Sequence, residues 1–267
     1  MKLKQKKVPK PWGQLALPQI FGGKQKEKIG EIWFTPEKGI TPELLVKYIF
    51  TGEKLSIQVH PNDRQARRQG FPRGKDECWY IVDAEPNAVL GIGLTKEVSA
   101  TKLQAAIACD QIEQLVDWKP VKPGDLFYIP AGTIHAIGPG IQLIEVQQNA
   151  DITYRLYDYG RPRELHLDDA ISVANAAPYK MANHLETVPD QSVKLLDGPY
   201  FRLFQVISDD RDILSGISAG EWHVIPLEGE VTVRGKVIGA GECGLCTKAS
   251  EIDLSANVKS LIACTMK

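Results

Sequence analysis

No stretch of this sequence approaches the roughly 20 consecutive apolar residues of a membrane-spanning helix, so no membrane partner is expected. Neither sign of charge is in excess. Lys and Arg number 32 against 33 Asp and Glu, a net charge of −1, which removes any global attraction to nucleic acid. Basic residues cluster only at the amino end, at Lys2, Lys4, Lys6, Lys7 and Lys10. A signal peptide would carry an apolar stretch where Pro9, Pro11 and Gly13 stand. That end is expected to be a solvated tail, and the protein to remain in the cytoplasm.

Cysteine is scarce. There are five, an odd number without an export signal, which favours reduced thiols over a disulfide framework. Cys243 and Cys246 form a C-x-x-C pair, but a structural zinc needs about four ligands and no second pair lies near. A thioredoxin-like motif would need a following helix, which the residues after Cys246 do not suggest. The pair is read as packing or surface thiols near a turn. Repeats and low-complexity tracts are absent as well.

What the chain does have is short apolar runs broken by Gly, Pro, Asn and Asp, the pattern of strands. Such runs fall at 44–50, 54–60, 77–82, 88–94, 125–129, 141–147 and 153–157, then at 201–207, 221–227 and 230–234. Many short strands with frequent turn signals predict a mainly β fold, a barrel or sandwich. Helical spacing occurs at 100–117, where Leu103, Ile107, Ile112 and Leu115 share a face behind Ser99 or Thr101 as a cap, and at 167–176, where Asp168 and Asp169 suit the first turn. At 43% hydrophobic, 267 residues can build one large core or two smaller ones. The expected organisation is a catalytic domain over 1–176 with a short helical insert, a linker over 177–197 containing Pro178, Pro189 and Asp190, and a second β unit over 198–267.

One polar constellation interrupts the apolar texture. Side chains of a strand alternate faces, so Ser56, Gln58 and His60 point one way while Leu55, Ile57 and Val59 point the other. Glu77 opens the next strand after a Gly74-Lys75-Asp76 turn. His135 ends a run that begins at Gly124 and passes Pro130 and Gly132, residues that form a tight corner and aim the histidine inward. Taken singly, each is ordinary: a strand histidine is more often hydrogen-bonded than metal-bound. Taken together, two imidazoles, a carboxylate and an amide oxygen can hold zinc with room for a further ligand. His166 before a helix start, His184 in the linker and His223 in the second β unit have no clustered partner and are read as structural.

The run from Gly124 to His135 fits the second cupin motif at each fixed position. With it, Lys10-Pro-Trp-Gly13, Gly30-Glu-Ile-Trp33, Leu55-Ser-Ile-Gln-Val-His-Pro-Asn-Asp63, Gly74-Lys-Asp-Glu-Cys-Trp-Tyr80 and the segment from Glu145 to Tyr159 resemble the class I, zinc-dependent mannose-6-phosphate isomerases in their short bacterial form. These segments cover most of residues 10–175. The resemblance implies a cupin fold, that is a double-stranded β-helix or jelly roll, followed by a degenerate cupin-like β half without metal. It also implies one zinc per chain on Gln58, His60, Glu77 and His135, an active-site arginine at Arg155, and Glu145 and Lys75 lining the site. Larger relatives insert a helical domain between the cupin motifs, and only the helix at 100–117 stands there in this chain.

The implied reaction interconverts mannose 6-phosphate and fructose 6-phosphate through an enediol, without a redox cofactor. Zinc would stabilise the negative charge developing on the sugar oxygens. Glu145 or Lys75 would shuttle the proton, Glu145 serving otherwise to orient a histidine. Arg155 would hold the phosphate or the enediolate charge, or else pair with Asp158, and Lys47 is a weaker phosphate candidate. A cupin oxygenase would favour a second histidine where Gln58 stands. A non-catalytic sugar-binding cupin, or an isomerase of another aldose phosphate, remains a rival. The expected partner is a small sugar phosphate, and the expected assembly a monomer or weak homodimer.

Overall fold

The computed structural model describes residues 1–37, 39–186 and 191–266. In chain order the first strands are β1 (Lys4–Ala16), β2 (Lys24–Thr35), β3 (Leu44–Phe50) and β4 (Ile57–Val59). Helix α1 (Asp63–Arg68) leads to β5 (Glu77–Ala84) and β6 (Val89–Leu94). Helices α2 (Ala100–Ala108) and α3 (Ile112–Leu115) precede β7 (Val116–Pro120), β8 (Asp125–Ile129), β9 (His135–Ile137), β10 (Ile141–Gln148) and β11 (Tyr154–Tyr157). Helix α4 (Leu167–Val173) is followed by β12 (His184–Glu186), β13 (Val193–Asp197), β14 (Phe201–Ile207) and β15 (Trp222–Val233). The remaining strands are β16 (Lys236–Gly239), β17 (Gly244–Cys246), β18 (Ile252–Asp253) and β19 (Asn257–Thr265). The mainly β architecture is the one the short apolar runs predict.

Three sheets stack in layers. One has the order β1-β2-β3-β10-β5-β8-β12, and a second β11-β4-β9-β6-β7. They face each other across a core that joins Ile49, Trp79 and Leu143 of the first to Leu90, Ile92 and Ile137 of the second. Helices α2 to α4 cover the outer face of the second sheet, where Leu103, Ile107, Ala170 and Val173 pack on Ile57, Val59 and Ile134. The third sheet, β13-β14-β19-β15-β16 with β17 and β18 beside β15, covers the outer face of the first. Val46, Tyr48, Phe50 and Ile144 meet Leu203, Ile225 and Leu261 there. Both faces of the first sheet are therefore covered, and all seven residues of β3 are buried.

The amino end differs from its reading as a tail. It is the edge strand β1, paired antiparallel with β2, and Leu3 N–H donates to Cys243 O of the third sheet. Lysines and prolines that suggest a solvated tail are also what an edge strand tolerates. The pairing is irregular between Val8 and Ala16, where Pro9 and Pro11 supply no N–H. Gly13 is required by close approach, since a Cβ there would lie 2.4 Å from the Ile29 carbonyl carbon.

The single helix expected at 100–117 is two. The first ends at Cys109, Asp110 turns left-handed with φ 56°, and the chain enters β7 at Val116. Strand β2 and helix α1 were not anticipated, although α1 carries a capping box between Asn62 and Gln65. Of the expected linker, 187–190, with Pro189 and Asp190, lies outside the described residues, while β12 pairs with β8 and β13 with β14. No helix among the described residues is long and apolar enough to cross a membrane.

Candidate metal centre and anion pocket

Local chain geometry aims three buried side chains at one point. His60 follows β4 and is held by Gly132 N–H, which donates to His60 O at 2.8 Å; Gly132 itself has φ +87°, the turn that the Pro130-Ala131-Gly132 corner predicts. Glu77 begins β5 after a tight approach at Gly74, where a Cβ would sit 2.4 Å from the Asn62 backbone. Asp76 secures that turn by accepting from Ala131 N–H at 3.2 Å and from the Tyr128 hydroxyl. His135 opens β9, directly across from Gln58 on β4.

The ligand atoms of His60, Glu77 and His135 lie within 4.8 Å of one another. His60 Nε2 is 3.5 Å from Glu77 Oε2, and His135 Nε2 is 3.4 Å from Glu77 Oε1. Each imidazole is oriented from behind: His60 Nδ1–H donates to Ile152 O at 2.9 Å, and His135 Nδ1–H to Thr133 O at 2.8 Å. That tautomer leaves both Nε2 lone pairs facing the carboxylate. Burial lowers the His135 pKa to about 4 and, with Lys75 beside it, pushes that of His60 well below its ordinary value, so both rings are neutral. Burial and the charge of Glu145 raise Glu77 to about 7 against the pull of Lys75. Neither Glu77 oxygen accepts a well-directed hydrogen bond, although Lys75 Nζ stands 2.8 Å from Oε2 and 3.1 Å from His60 Nε2. Two neutral imidazoles and an under-satisfied carboxylate suit a divalent cation.

Gln58 borders this group. Its Nε2 is 3.3 Å from His135 Nε2, and its Oε1 accepts from the Ser56 hydroxyl at 3.1 Å. A half-turn of the amide exchanges the two atoms and turns the oxygen toward the same space.

A cavity of about 120 Å³ opens beside these three side chains, with Gln58, Lys75, Glu145, Arg155 and Lys47 in its wall. All of the expected site residues are thus brought together, four of them around the cavity and three beneath it. Two cross-strand rows build it. On the second sheet, Arg155 of β11 faces Gln58 of β4, which faces His135 of β9. On the first, a row crosses all seven strands: Lys6, Trp33, Lys47, Glu145, Trp79, Phe127 and His184 stand opposite one another in turn. Lys47 Nζ lies 5.0 Å from the Trp33 ring centroid and 2.8 Å from Glu145 Oε1. Trp79 Nε1–H donates to Glu145 Oε2 at 3.0 Å, and its ring meets the His135 ring at 5.3 Å. Burial alone would raise the pKa of Glu145, but Lys47 and Lys75 outweigh it and hold it down to about 2.

Arg155 is not paired with Asp158. Its Nη1–H donates to Glu164 O at 2.7 Å, while Asp158 is taken by Arg161 and Arg163. Ser56, expected on the polar face with Gln58, lines the cavity, as do Lys10, Trp12, Glu31, Trp33 and Arg163, to which the sequence assigns no role. Lys10 Nζ is 3.1 Å from Glu31 Oε1, and Glu31 also accepts from the Trp33 indole. Their signal was present in the Lys10–Gly13 and Gly30–Trp33 segments, which carried the resemblance without a role. His166 N–H donates to Arg155 O and its Nδ1 accepts from Arg155 N–H, His184 stacks on Phe127 at 4.3 Å, and His223 is buried beside Glu221. All five cysteines are free thiols, Cys243 and Cys246 buried in the third sheet.

No protein-family model matches the chain. Among curated proteins, mannose-6-phosphate isomerase ManA of Bacillus subtilis is 38% identical over 192 residues, 65% of this chain and 60% of that protein. The mannose-6-phosphate isomerase of Streptococcus mutans is 36% identical over 188 residues, 66% of this chain and 57% of that one. The chain thus spans about 60% of the length of these relatives. The crystal structure of the mannose 6-phosphate isomerase from Bacillus subtilis superposes with a TM-score of 0.77 at 26% identity, covering 98% of both chains. In aligned sequence as in fold, this chain is similar to the mannose-6-phosphate isomerases, the cupin-type family that its motifs resemble.

Proposed function

We propose that the protein is a metal-dependent aldose–ketose isomerase that interconverts mannose 6-phosphate and fructose 6-phosphate through an enediol. The observation that carries this reading is the convergence of His60, Glu77 and His135, all buried and with neither Glu77 oxygen in a directed hydrogen bond, beneath a cavity whose wall carries Lys47, Lys75, Arg155 and Arg163. The names of the relatives agree with it.

In this reading one zinc per chain is held by the two Nε2 atoms, the Glu77 carboxylate and the Gln58 amide oxygen. The metal supplies positive charge where an enediolate needs it. A neutral amide as fourth ligand leaves more of that charge than a second carboxylate would. Glu145 has both oxygens engaged and is held ionised far below neutral pH, so it is a weak proton acceptor. We assign it to fixing Lys47 and the charge of the cavity wall, and assign proton transfer to Lys75. Arg155 binds anionic charge, with its Nε buried and without a partner. The organisation that fits is a metal-bearing unit over 1–176 and a structural β unit over 198–267, working in the cytoplasm as a monomer or weak homodimer.

A coupled assay of the metal-loaded protein with mannose 6-phosphate, glucose 6-phosphate and other aldose phosphates tests the reading. Turnover of mannose 6-phosphate well above the others is expected. Binding of sugar phosphate without turnover of any would instead make the protein a sugar-binding cupin.

A further inference from the structure

Each of the three lysines in the cavity wall meets a carboxylate, and Asp151 lines the wall as well. Lys10 faces Glu31, Lys47 faces Glu145 and Lys75 faces Glu77, at 3.1, 2.8 and 2.8 Å. The end near β11 is different. Asp158, only 2% exposed in its side chain, is shared by two arginines. Arg163 meets it as a fork, Nε–H donating to Oδ2 and Nη2–H to Oδ1, both at 2.6 Å. Arg161 contacts the same carboxylate at 2.9 Å and also donates to Lys54 O. Arg161 also has the exposed Glu53 carboxylate at 3.9 Å, whereas Arg155 beside them has a backbone carbonyl as acceptor and a buried Nε without one. Arg155 and Arg163 both line the cavity, and burial with the nearby charge of Arg163 lowers the pKa of Arg155.

We propose that Arg163, held in place by Asp158, is a specificity-determining residue that binds the phosphoryl group of the substrate together with Arg155. The fork to Asp158 uses Nε and Nη2 of Arg163. Its Nη1 edge, on a side chain 24% exposed, is left for an incoming oxyanion. Two planar guanidiniums with spare donors match a dianion with three terminal oxygens. Asp158 is a positioning residue: it spends part of the charge of the pair but fixes the direction of the fork. Arg155 lies one strand from Gln58, so an anionic group bound by it and Arg163 leaves the opposite end of a small sugar toward the His60 and His135 side. This assignment rests on the isomerase reading of the same cavity.

The test uses metal-loaded protein and two readouts, calorimetric binding of inorganic phosphate and steady-state kinetics on mannose 6-phosphate. Arg163→Gln is expected to weaken phosphate binding and raise KM together, each by about tenfold or more, with kcat changed by less than about threefold. Arg161 continues to neutralise Asp158 in that variant, so the buried carboxylate is not abandoned. Arg163→Lys keeps the charge without the fork and should recover part of the loss; if the glutamine variant does not fold, the lysine variant decides, with an expected smaller loss in both readouts. Asp158→Asn should weaken phosphate binding without changing metal content. Unchanged phosphate binding in a folded Arg163 variant overturns the proposal, as does a fall in kcat at constant KM. A wild-type protein that binds phosphate through Arg163 yet isomerises no aldose phosphate would uphold the anion site and sink the isomerase reading.

Discussion

Lys47 and Glu145 meet across β3 and β10 with Nζ 2.8 Å from Oε1, and neither side chain is more than 8% exposed. A pair so deeply buried is costly to break from one side, because the survivor keeps its desolvation penalty. Glu145→Gln is expected to destabilise the protein by about 3–5 kcal/mol, measured by urea unfolding at neutral pH. The pH dependence has a definite sign. The folded-state pKa of Glu145 is held near 2 against an ordinary 4.5, so the stability it contributes is complete above 4.5 and is lost as pH falls toward 2. The glutamine variant should lack that part of the acid loss.

Removing the metal should stop the reaction. Dialysis against a chelator is expected to abolish isomerisation, and stoichiometric zinc to restore it, with metal analysis reporting about one zinc per chain. His135→Ala should lose bound metal to the same degree. Full turnover by metal-free protein would falsify the metal-dependent mechanism.

Arg155→Ala is expected to lower kcat/KM by about a hundredfold or more while zinc content and the unfolding curve stay near wild type. The side chain contributes one hydrogen bond to the fold, to the Glu164 carbonyl, so its loss is mainly a loss of charge. Wild-type kinetics in this variant would take Arg155 out of the site.

Proton transfer can be followed by exchange of substrate hydrogen with solvent. Lys75→Met should suppress exchange and turnover together. Glu145→Gln should slow turnover but retain exchange in the folded fraction. The opposite pattern would assign the proton to Glu145.

Gly74→Ala tests how the turn before β5 presents the ligands. The added carbon would meet the backbone of Pro61, Asn62 and Asp63 at 2.4–2.6 Å, and rigid backbone cannot yield as a side-chain tip can. We expect a stability loss of about 1–3 kcal/mol with weakened zinc retention, read by thermal unfolding and metal analysis.

How much of this was legible in the sequence depends on how local each signal is. Gln58, His60, Glu77 and His135 could be found because two short motifs set their directions: strand alternation for the first pair, a glycine-containing corner for the last. Lys47 and Glu145 are 98 residues apart, and their contact follows from the register of β3 with β10, which no local pattern encodes. Lys10 and Trp33 stand in short segments that carry the resemblance, but their place beside Lys47 follows only from the pairing of β1, β2 and β3. The amino-terminal strand was read as a tail because an exposed edge and a tail ask for the same residues. The second helix break was hidden because Asp110 takes a left-handed conformation that aspartate enters without a sequence marker as clear as glycine. Arg163 stands outside the segments that carry the resemblance, and its fork to Asp158 is a contact that no motif encodes.

The row from Lys6 to His184 has a consequence for how the chain finds its fold. Strand side chains alternate, so a one-residue slip of any member would turn its place in the row to the opposite face. On β3 that error would bury the Lys47 ammonium among Phe34, Ile144, Leu203 and Leu261, turn Tyr48 and Phe50 out of that layer, and leave Glu145 without its counter-ion. Misaligned pairings are thus penalised by several kcal/mol at the moment they form. The pairing that fixes Lys47 and Glu145 in the cavity wall also guards the register of the sheet.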